Sequence, residues 1–504
     1  MKRPGEKSQI RSIPIVITLT IVFFLRLLFL LRLDVFPDEA YYWGWSRFLS
    51  PGYFDHPPMI AWLVHLTTSL LGDTYWGIKA VPLLVGSAFS VVAAVLAARF
   101  VTSTAAVILF LLLVNTNLLY AAGGLLLTPD IACIFFWALG MLLGYQAVFE
   151  RKTAAWPLLG VVVGLGLLSK YVFVLFIGSF VLFLIFVKEH RKLLLTWKPW
   201  SAFFIAILFF SPNVLWNAQH QWTSYLFQFG HGFRSEHSWP RINLFFEYLA
   251  GQIGLFSPLL FFVLVFAIIH FYRFDRKEKF LFLLMFLSLP LFFFAWSSLS
   301  ARVEANWPAA AYFSGLLLVI CYWERLGKKS GVRRFTVFAM GFSITITTLV
   351  VAHAVLPFLP ISARIDRTYD SRGWTEFARQ VDKIREQHDP LGKMPLCANS
   401  YQLTSLLAFH CTDQPRTWAL NFNSRTNHYA FLQERMSVVD DTLLFVSAIA
   451  DGEMPRSVLH YFDSQKMLAP VQRVLTNTIA DSFAVYQVTL SALGKKTLID
   501  EAGY

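Results

Sequence analysis

The 504-residue chain is 56% hydrophobic and only 15% charged, whereas an ordinary soluble domain carries roughly 25% charged residues. That shortfall, together with 50 Phe and 16 Trp, excludes a soluble globular protein and predicts a polytopic α-helical membrane protein. The formal net charge of +12 does not indicate nucleic acid, because the basic residues form short clusters between apolar runs, which is the positive-inside pattern.

In chain order, about eleven stretches approach the roughly 20 apolar residues that a spanning helix needs. They lie near residues 12–33, 78–98, 103–121, 130–149, 154–169, 171–187, 200–216, 253–272, 280–297, 305–324 and 335–354. The fifth is short, and 154–187 also reads as one broken hairpin. The first run follows Arg11 without a small-residue cleavage site, so no cleavable signal is expected. Lys2, Arg3, Lys7 and Arg11 precede the first span. Further clusters, from Arg151-Lys152, Lys188–Lys198, Arg273–Lys279 and Arg325–Arg334, follow the fourth, sixth, eighth and tenth. All fall on one side, which the rule makes cytoplasmic. The N-terminus is then cytoplasmic, while the loops at 34–77, 121–130, 217–252 and 298–304 and the tail after about 360 face outward.

The segment 40–77 is too polar to span and too aromatic for a free loop. It and 217–252 (with His220, Trp222, Tyr225, His231, Arg234, Glu236, His237, Trp239 and Arg241) suit helices lying in the membrane interface. Residues 1–357 are expected to form the transmembrane unit and 358–504 a small extracytoplasmic α/β domain. In that domain, Gly373–Gln387 has the period of an amphipathic helix, and helical pieces are expected near Gln402–Phe409 and Arg456–Phe462. Short apolar runs at Pro395–Ala398, Thr417–Leu420, Thr442–Ala448, Val471–Leu475 and Phe483–Val488 alternate with them. Cys397 and Cys411 either pair in a disulfide or stay buried thiols. Cys133 and Cys321 fall in apolar runs and read as buried thiols.

Chemistry is expected where charge sits at the membrane boundary, since ionisable groups there are retained mainly for function. Asp38 and Glu39 follow the first span, beside Tyr41, Tyr42 and Trp43. They either cap a helix or serve a sugar-binding site in which Asp38 acts as general base toward a hydroxyl. Asp55-His56-Pro57-Pro58 has a proline-fixed backbone that aims the two polar side chains. His56 with Asp38 offers donors for a divalent metal, although the ligand spacing is loose; no other cofactor is implied. Asp130 caps the fourth span or faces the same site. Lys170, between two apolar runs, either snorkels or meets a phosphate. In Arg302-Val303-Glu304-Ala305-Asn306-Trp307-Pro308, Arg302 is a phosphate clamp or a partner of Glu304, and Asn306 with Trp307 suits a sugar face. The cytoplasmic side lacks a Gly-rich phosphate loop, and nucleotide sugars are absent outside, so a donor there is lipid-linked.

The pieces Pro37-Asp38-Glu39-Ala40-Tyr41-Tyr42, Tyr53-Phe54-Asp55-His56-Pro57-Pro58, Leu127-Thr128-Pro129-Asp130, Leu168-Ser169-Lys170-Tyr171 and Glu304-Ala305-Asn306-Trp307-Pro308 occur in this order. With them the chain resembles the bacterial polyprenyl-phosphate-sugar glycosyltransferases of the membrane C-type fold. These are related to protein O-mannosyltransferases, the aminoarabinose transferase of lipid A and the galacturonosyltransferases of lipopolysaccharide core. His56-Pro57-Pro58 departs from the Lys-Pro-Pro of the aminoarabinose enzyme. The resemblance implies an inner-membrane enzyme with a periplasmic C-terminal domain. It implies inverting transfer from a polyprenyl-phosphate sugar to an envelope lipid, glycan or protein. Asp38, with Glu39, would be catalytic; Lys170 and Arg302 would contact the donor phosphate. Tyr41, Tyr42, Asp55, His56, Asp130, Glu304, Asn306 and Trp307 would line the sugar and acceptor site. The rival classes are a lipid-glycan flippase or transporter, for which the internal repeats are missing, and a non-catalytic glycan-binding scaffold.

Overall fold

The computed structural model describes residues 10–233, 239–361, 366–420, 422, 426–433, 442–449, 453–475 and 478–496. Of the residues named above, Lys2, Arg3, Lys7, Arg234, Glu236 and His237 lie outside these ranges, as does the side chain of His231.

The first part of the chain is helical: α1 Ser12–Leu30, α2 Pro37–Ser46, α3 Met59–Leu71, α4 Tyr75–Ala97, α5 Thr104–Thr116, α6 Leu118–Leu125, α7 Pro129–Val148, α8 Ala155–Ser169 and α9 Val174–Phe186. It continues with α10 Lys188–Arg191, α11 Trp197–Gln219, α12 Thr223–Phe233, α13 Ile242–Phe256, α14 Pro258–Phe274, α15 Glu278–Ser297, α16 Ala309–Arg325 and α17 Gly331–Val355. Local sequence sets many of the starts. Pro37, Pro129 and Pro258 open α2, α7 and α14 at the position where a missing N–H costs nothing. The hydroxyls of Thr74 and Ser103 cap α4 and α5 by accepting from Gly77 and Ala106 N–H.

All eleven expected spans fall on helices. Among the described residues, six helices (α1, α4, α7, α11, α15 and α17) are long and apolar enough to cross a membrane, or nine if three bent pairs count as one span each. The shorter α8 and α16, of 15 and 17 residues, carry the remaining two expected spans. α8 is short because Lys170, in an extended conformation, breaks the helix before Tyr171, as the broken-hairpin reading anticipates. The interior is apolar and aromatic, with Phe110, Trp137, Phe176, Phe286 and Phe313 at its centre. Large apolar side chains on α1, α11 and α17 are exposed, which is the arrangement for lipid rather than water.

The C-terminal part holds α18 Trp374–His388, α19 Tyr401–His410, α20 Tyr429–Gln433 and α21 Arg456–Leu459 against a sheet. Its strands are β1 Leu396–Ala398, β2 Thr417–Ala419, β3 Thr442–Ala448, β4 Phe462–Leu475 and β5 Thr478–Leu490, in the order β2-β1-β3-β5-β4. β1 is parallel to β2 and β3, while β5 runs antiparallel to β3 and β4. Alternation along the strands separates two cores. Leu396, Ala398, Leu444, Val446 and Val485 face one, and Cys397, Leu443, Phe445 and Tyr486 the other. The disulfide expectation is corrected here. Cys397 lies in one core and Cys411 in the core on the opposite face, so both are buried free thiols, as are Cys133 and Cys321. The core on the first face also contains Ala40, Tyr41, Tyr42, Trp43 and Trp45 of α2. The segment that carries α2 and the C-terminal sheet therefore share one apolar interior across the boundary expected near residue 357.

Candidate active site

α2 begins with the carboxylates that the sequence singles out, and the two have opposite fates. Glu39 is buried, with 1% of its side chain exposed, against an equally buried Lys79 from α4. Its Oε1 accepts from Lys79 Nζ at 2.8 Å and from Leu127 N–H at 2.7 Å. Its Oε2 accepts from Lys79 Nζ at 2.6 Å and from Phe36 N–H at 2.8 Å. The expected catalytic role for Glu39 is thus corrected to a positioning one, because its lone pairs are engaged and substrate cannot reach it. It ties the loop carrying Asp38 to the loop that ends at Asp130. Asp38 is exposed at the start of α2, and the Tyr401 hydroxyl of α19 donates to its Oδ1 at 3.4 Å.

Behind Asp38, Tyr41 donates to Asp55 Oδ2 at 2.7 Å and accepts from His428 N–H at 2.7 Å. Nδ1 of His428 accepts from Phe54 N–H, and Tyr401 and Tyr429 pack on the ring of Tyr41. Three residues of the C-terminal part, Tyr401, His428 and Tyr429, therefore build one wall of the site. Tyr42 stands at its centre. Burial, followed by the fields of Asp38, Asp55, Tyr401 and Asp130, raises the pKa of its phenol well above the usual value, so the hydroxyl stays protonated and marks where these acidic groups converge. The His56 ring lies 6.3 Å from that of Tyr42.

Asp130 does not cap α7. Thr128 occupies the cap position, and Asp130 accepts from Lys170 Nζ at 2.7 Å through Oδ1 and from Asn306 Nδ2 at 3.3 Å through Oδ2. Lys170 and Asp130 are both largely buried yet retain some exposure, so neither aims at bulk water alone. Arg302 is mostly exposed and pairs with Glu247 of α13 at 2.6 Å, not with Glu304. Glu304 is exposed, and Trp307 packs near Phe294. The structure thus gathers Asp38, Tyr41, Tyr42, Asp55, Asp130, Lys170 and Asn306, and leaves Arg302 and Glu304 at the surface. Among the described residues no three His, Cys, Asp or Glu side chains come close enough to hold a metal ion, so the Asp38–His56 pair does not extend to a ligand set.

Sequence reasoning missed Lys79, Tyr401 and His428. A single cation opening an otherwise apolar run is a readable signal for Lys79; the other two depend on contacts across more than 350 residues.

Residues 55–216 match the family model described as dolichyl-phosphate-mannose-protein mannosyltransferase. The chain is 31% identical over 297 residues to the lipid A galacturonosyltransferase RgtD of Rhizobium johnstonii, covering 57% of this chain and 60% of that one. The chain thus spans about three-fifths of the curated relative it matches. Its fold is similar to that of ArnT from Cupriavidus metallidurans. The apo form has a TM-score of 0.62 at 14% identity, covering 94% of this chain and 97% of ArnT. The undecaprenyl-phosphate-bound form has a TM-score of 0.64 at 14% identity, covering 96% and 98%. The oligosaccharyltransferase AglB from Archaeoglobus fulgidus, in complex with an inhibitory peptide and a dolichol-phosphate, matches with a TM-score of 0.53 at 13% identity, over 97% of this chain and 77% of AglB.

Proposed function

We propose that this chain, a multi-pass membrane protein with the C-type glycosyltransferase fold of ArnT, is an inverting glycosyltransferase. It moves a sugar from a polyprenyl-phosphate donor to an extracytoplasmic acceptor, lipid A or a similar envelope lipid. Its N-terminus is cytoplasmic and its C-terminal domain periplasmic in a bacterial inner membrane, with eleven spans. The likeness to a lipid A galacturonosyltransferase supports a uronic sugar. The match to transferases, not transporters, weighs against the flippase reading, although fold alone does not decide function.

The observation that carries this reading is that the buried Tyr42 lies in the fields of both the exposed Asp38 and Asp130, while Asp130 pairs at 2.7 Å with the partly buried ammonium of Lys170. Asp38 takes the proton of the acceptor hydroxyl as its oxygen attacks the anomeric carbon. The bond from that carbon to the phosphate oxygen breaks, and polyprenyl phosphate leaves with the electron pair. The charge that grows on the leaving phosphate needs a fixed cation. Lys170 has three N–H donors, of which Asp130 takes one among the described residues, leaving two for phosphate oxygens. Arg302 is at most a contact at the entrance. Tyr42, Asp55, His56, Asn306 and Trp307 shape the sugar and acceptor pocket.

The test is Asp38→Asn in the full chain, assayed in membranes with a polyprenyl-phosphate uronic sugar and lipid A. A general base contributes roughly 100- to 10,000-fold, so turnover falls by at least about 100-fold while expression and thermal stability are kept. Turnover close to that of the parent chain removes Asp38 from the mechanism.

A further inference from the structure

The sequence of α1 contains a single charged residue, Arg26. It is only 8% exposed, and it lies near the end of the helix that leads into the Asp38 loop. The fold makes room for it. A Cβ on Gly86 of α4 would stand 2.8 Å from Nη1, and one on Gly124 of α6 would stand 3.1 Å from Nη2. The guanidinium donates to Asn115 Oδ1 at 2.7 Å and to Ser87 Oγ at 3.4 Å. Both acceptors are neutral. A guanidinium offers five N–H donors, and among the described residues no carboxylate pairs with this one. An intramembrane cation is retained for a partner, and here the described residues supply none of opposite charge.

Arg26 lines a cavity of about 100 Å³ between α1, α6 and α17, where one water needs roughly 10–15 Å³. Asn115 and the buried Thr347 give the lining polar groups, while Leu25 and Phe29 give it apolar ones. Leu25 and Thr348 are exposed on the surface that faces lipid. A mouth toward hydrocarbon, a hydroxyl-bearing wall and an uncompensated arginine match an amphiphile with a small anionic head.

We propose that this cavity binds the phosphate of a membrane lipid that enters sideways from the bilayer, with Arg26 donating to the phosphate oxygens and the acyl or prenyl chain lying along Leu25 and Phe29. The phosphate is common to two sources, a glycerophospholipid and a polyprenyl phosphate. This assignment does not depend on Asp38 being the base.

The experiment is native mass spectrometry of the full-length chain in detergent, titrated separately with phosphatidylglycerol, polyprenyl phosphate and diacylglycerol. Two variants are compared with the parent: Arg26→Gln, and Thr348→Trp, which stands across the mouth and leaves the buried side chains in place. The parent retains one phosphate-bearing lipid more than either variant, with at least about tenfold tighter half-occupancy than for diacylglycerol, the size of one charge-assisted hydrogen bond. The phosphate lipid whose binding falls in the variants is the natural source. If Arg26→Gln does not fold, Thr348→Trp alone decides. Equal lipid numbers in the parent and the folded variants, or diacylglycerol bound as well as phosphatidylglycerol, overturns the proposal.

Discussion

Lys79→Met tests whether the buried pair beneath α2 positions the site. Methionine keeps most of the bulk of the lysine stem, so the perturbation is mainly the charge. Glu39 then keeps its two backbone donors, from Phe36 and Leu127, and loses both contacts to Nζ. Breaking a buried pair by removing one partner costs about 3–5 kcal/mol, because the remaining charge is stranded. That loss weakens the tie between the Asp38 loop and the Asp130 loop. A misplacement of about 1 Å at reacting groups costs on the order of 100-fold. The expected result is a clearly lower apparent melting point and roughly 100-fold slower transfer, read by scanning fluorimetry and by turnover on the purified full chain. The double variant Glu39→Gln/Lys79→Met removes the stranded charge and recovers most of the melting point, but not the turnover. Melting and turnover of Lys79→Met close to the parent's refute the reasoning, as does a double variant no more stable than the single one.

Lys170→Gln removes a charge-assisted contact worth about 1.5–3 kcal/mol, so half-saturation by the polyprenyl-phosphate donor should rise roughly 10- to 150-fold; an unchanged donor titration would detach Lys170 from the phosphate. Tyr401→Phe deletes the hydroxyl that donates to Asp38. Without that contact Asp38 is held less firmly, so turnover falls by up to about tenfold, the size of one hydrogen bond to a charged group, and turnover equal to the parent's contradicts the contact. In the C-terminal domain, the two-pronged hydrogen bonds from Arg385 hold Asp413 below the usual carboxylate range. A carboxylate whose folded pKa is depressed contributes stability above its unfolded pKa, and that contribution fades as pH falls through the folded value. Asp413→Asn therefore costs up to about 1 kcal/mol at pH 7, discounted for its exposure, and progressively less as the pH falls through the folded value. Melting curves that differ equally at pH 7 and in strong acid would contradict this.

The apolar helices were legible because lipid demands long apolar runs, and parts of the five strands because short apolar runs stood between polar ones; the first half of β4, from Phe462, was not, since polar and apolar residues mix there. The pairing of Lys170 with Asp130 was not legible, because the sequence offers Lys170 a phosphate and Asp130 a helix cap, and only the fold brings the two to 2.7 Å. Glu39 was not, since its role depends on Lys79, forty residues away at the first turn of a run read simply as a span. Arg26 was hidden in the same way inside α1. The separation of Cys397 from Cys411 follows from strand alternation, which turns Cys397 of β1 into one core, and from α19, whose C-terminal end carries Cys411 into the other; neither can be read from their spacing. The contribution of Tyr401 and His428 is tertiary and carries no local sequence signal.

The apolar interior shared by α2 and the C-terminal sheet has a consequence for how the protein matures. Residues near Trp43 leave the ribosome more than 300 residues before Trp374, Leu407 and Val485, which complete their surroundings. Until that stretch is translated and folded, the helix that presents Asp38 lacks the packing it draws from α18, α19 and β5. A nascent or prematurely terminated chain can be inserted in the bilayer and still have no competent pocket. The setting of Asp38 is thereby completed by residues far downstream in the chain, made long after its own helix.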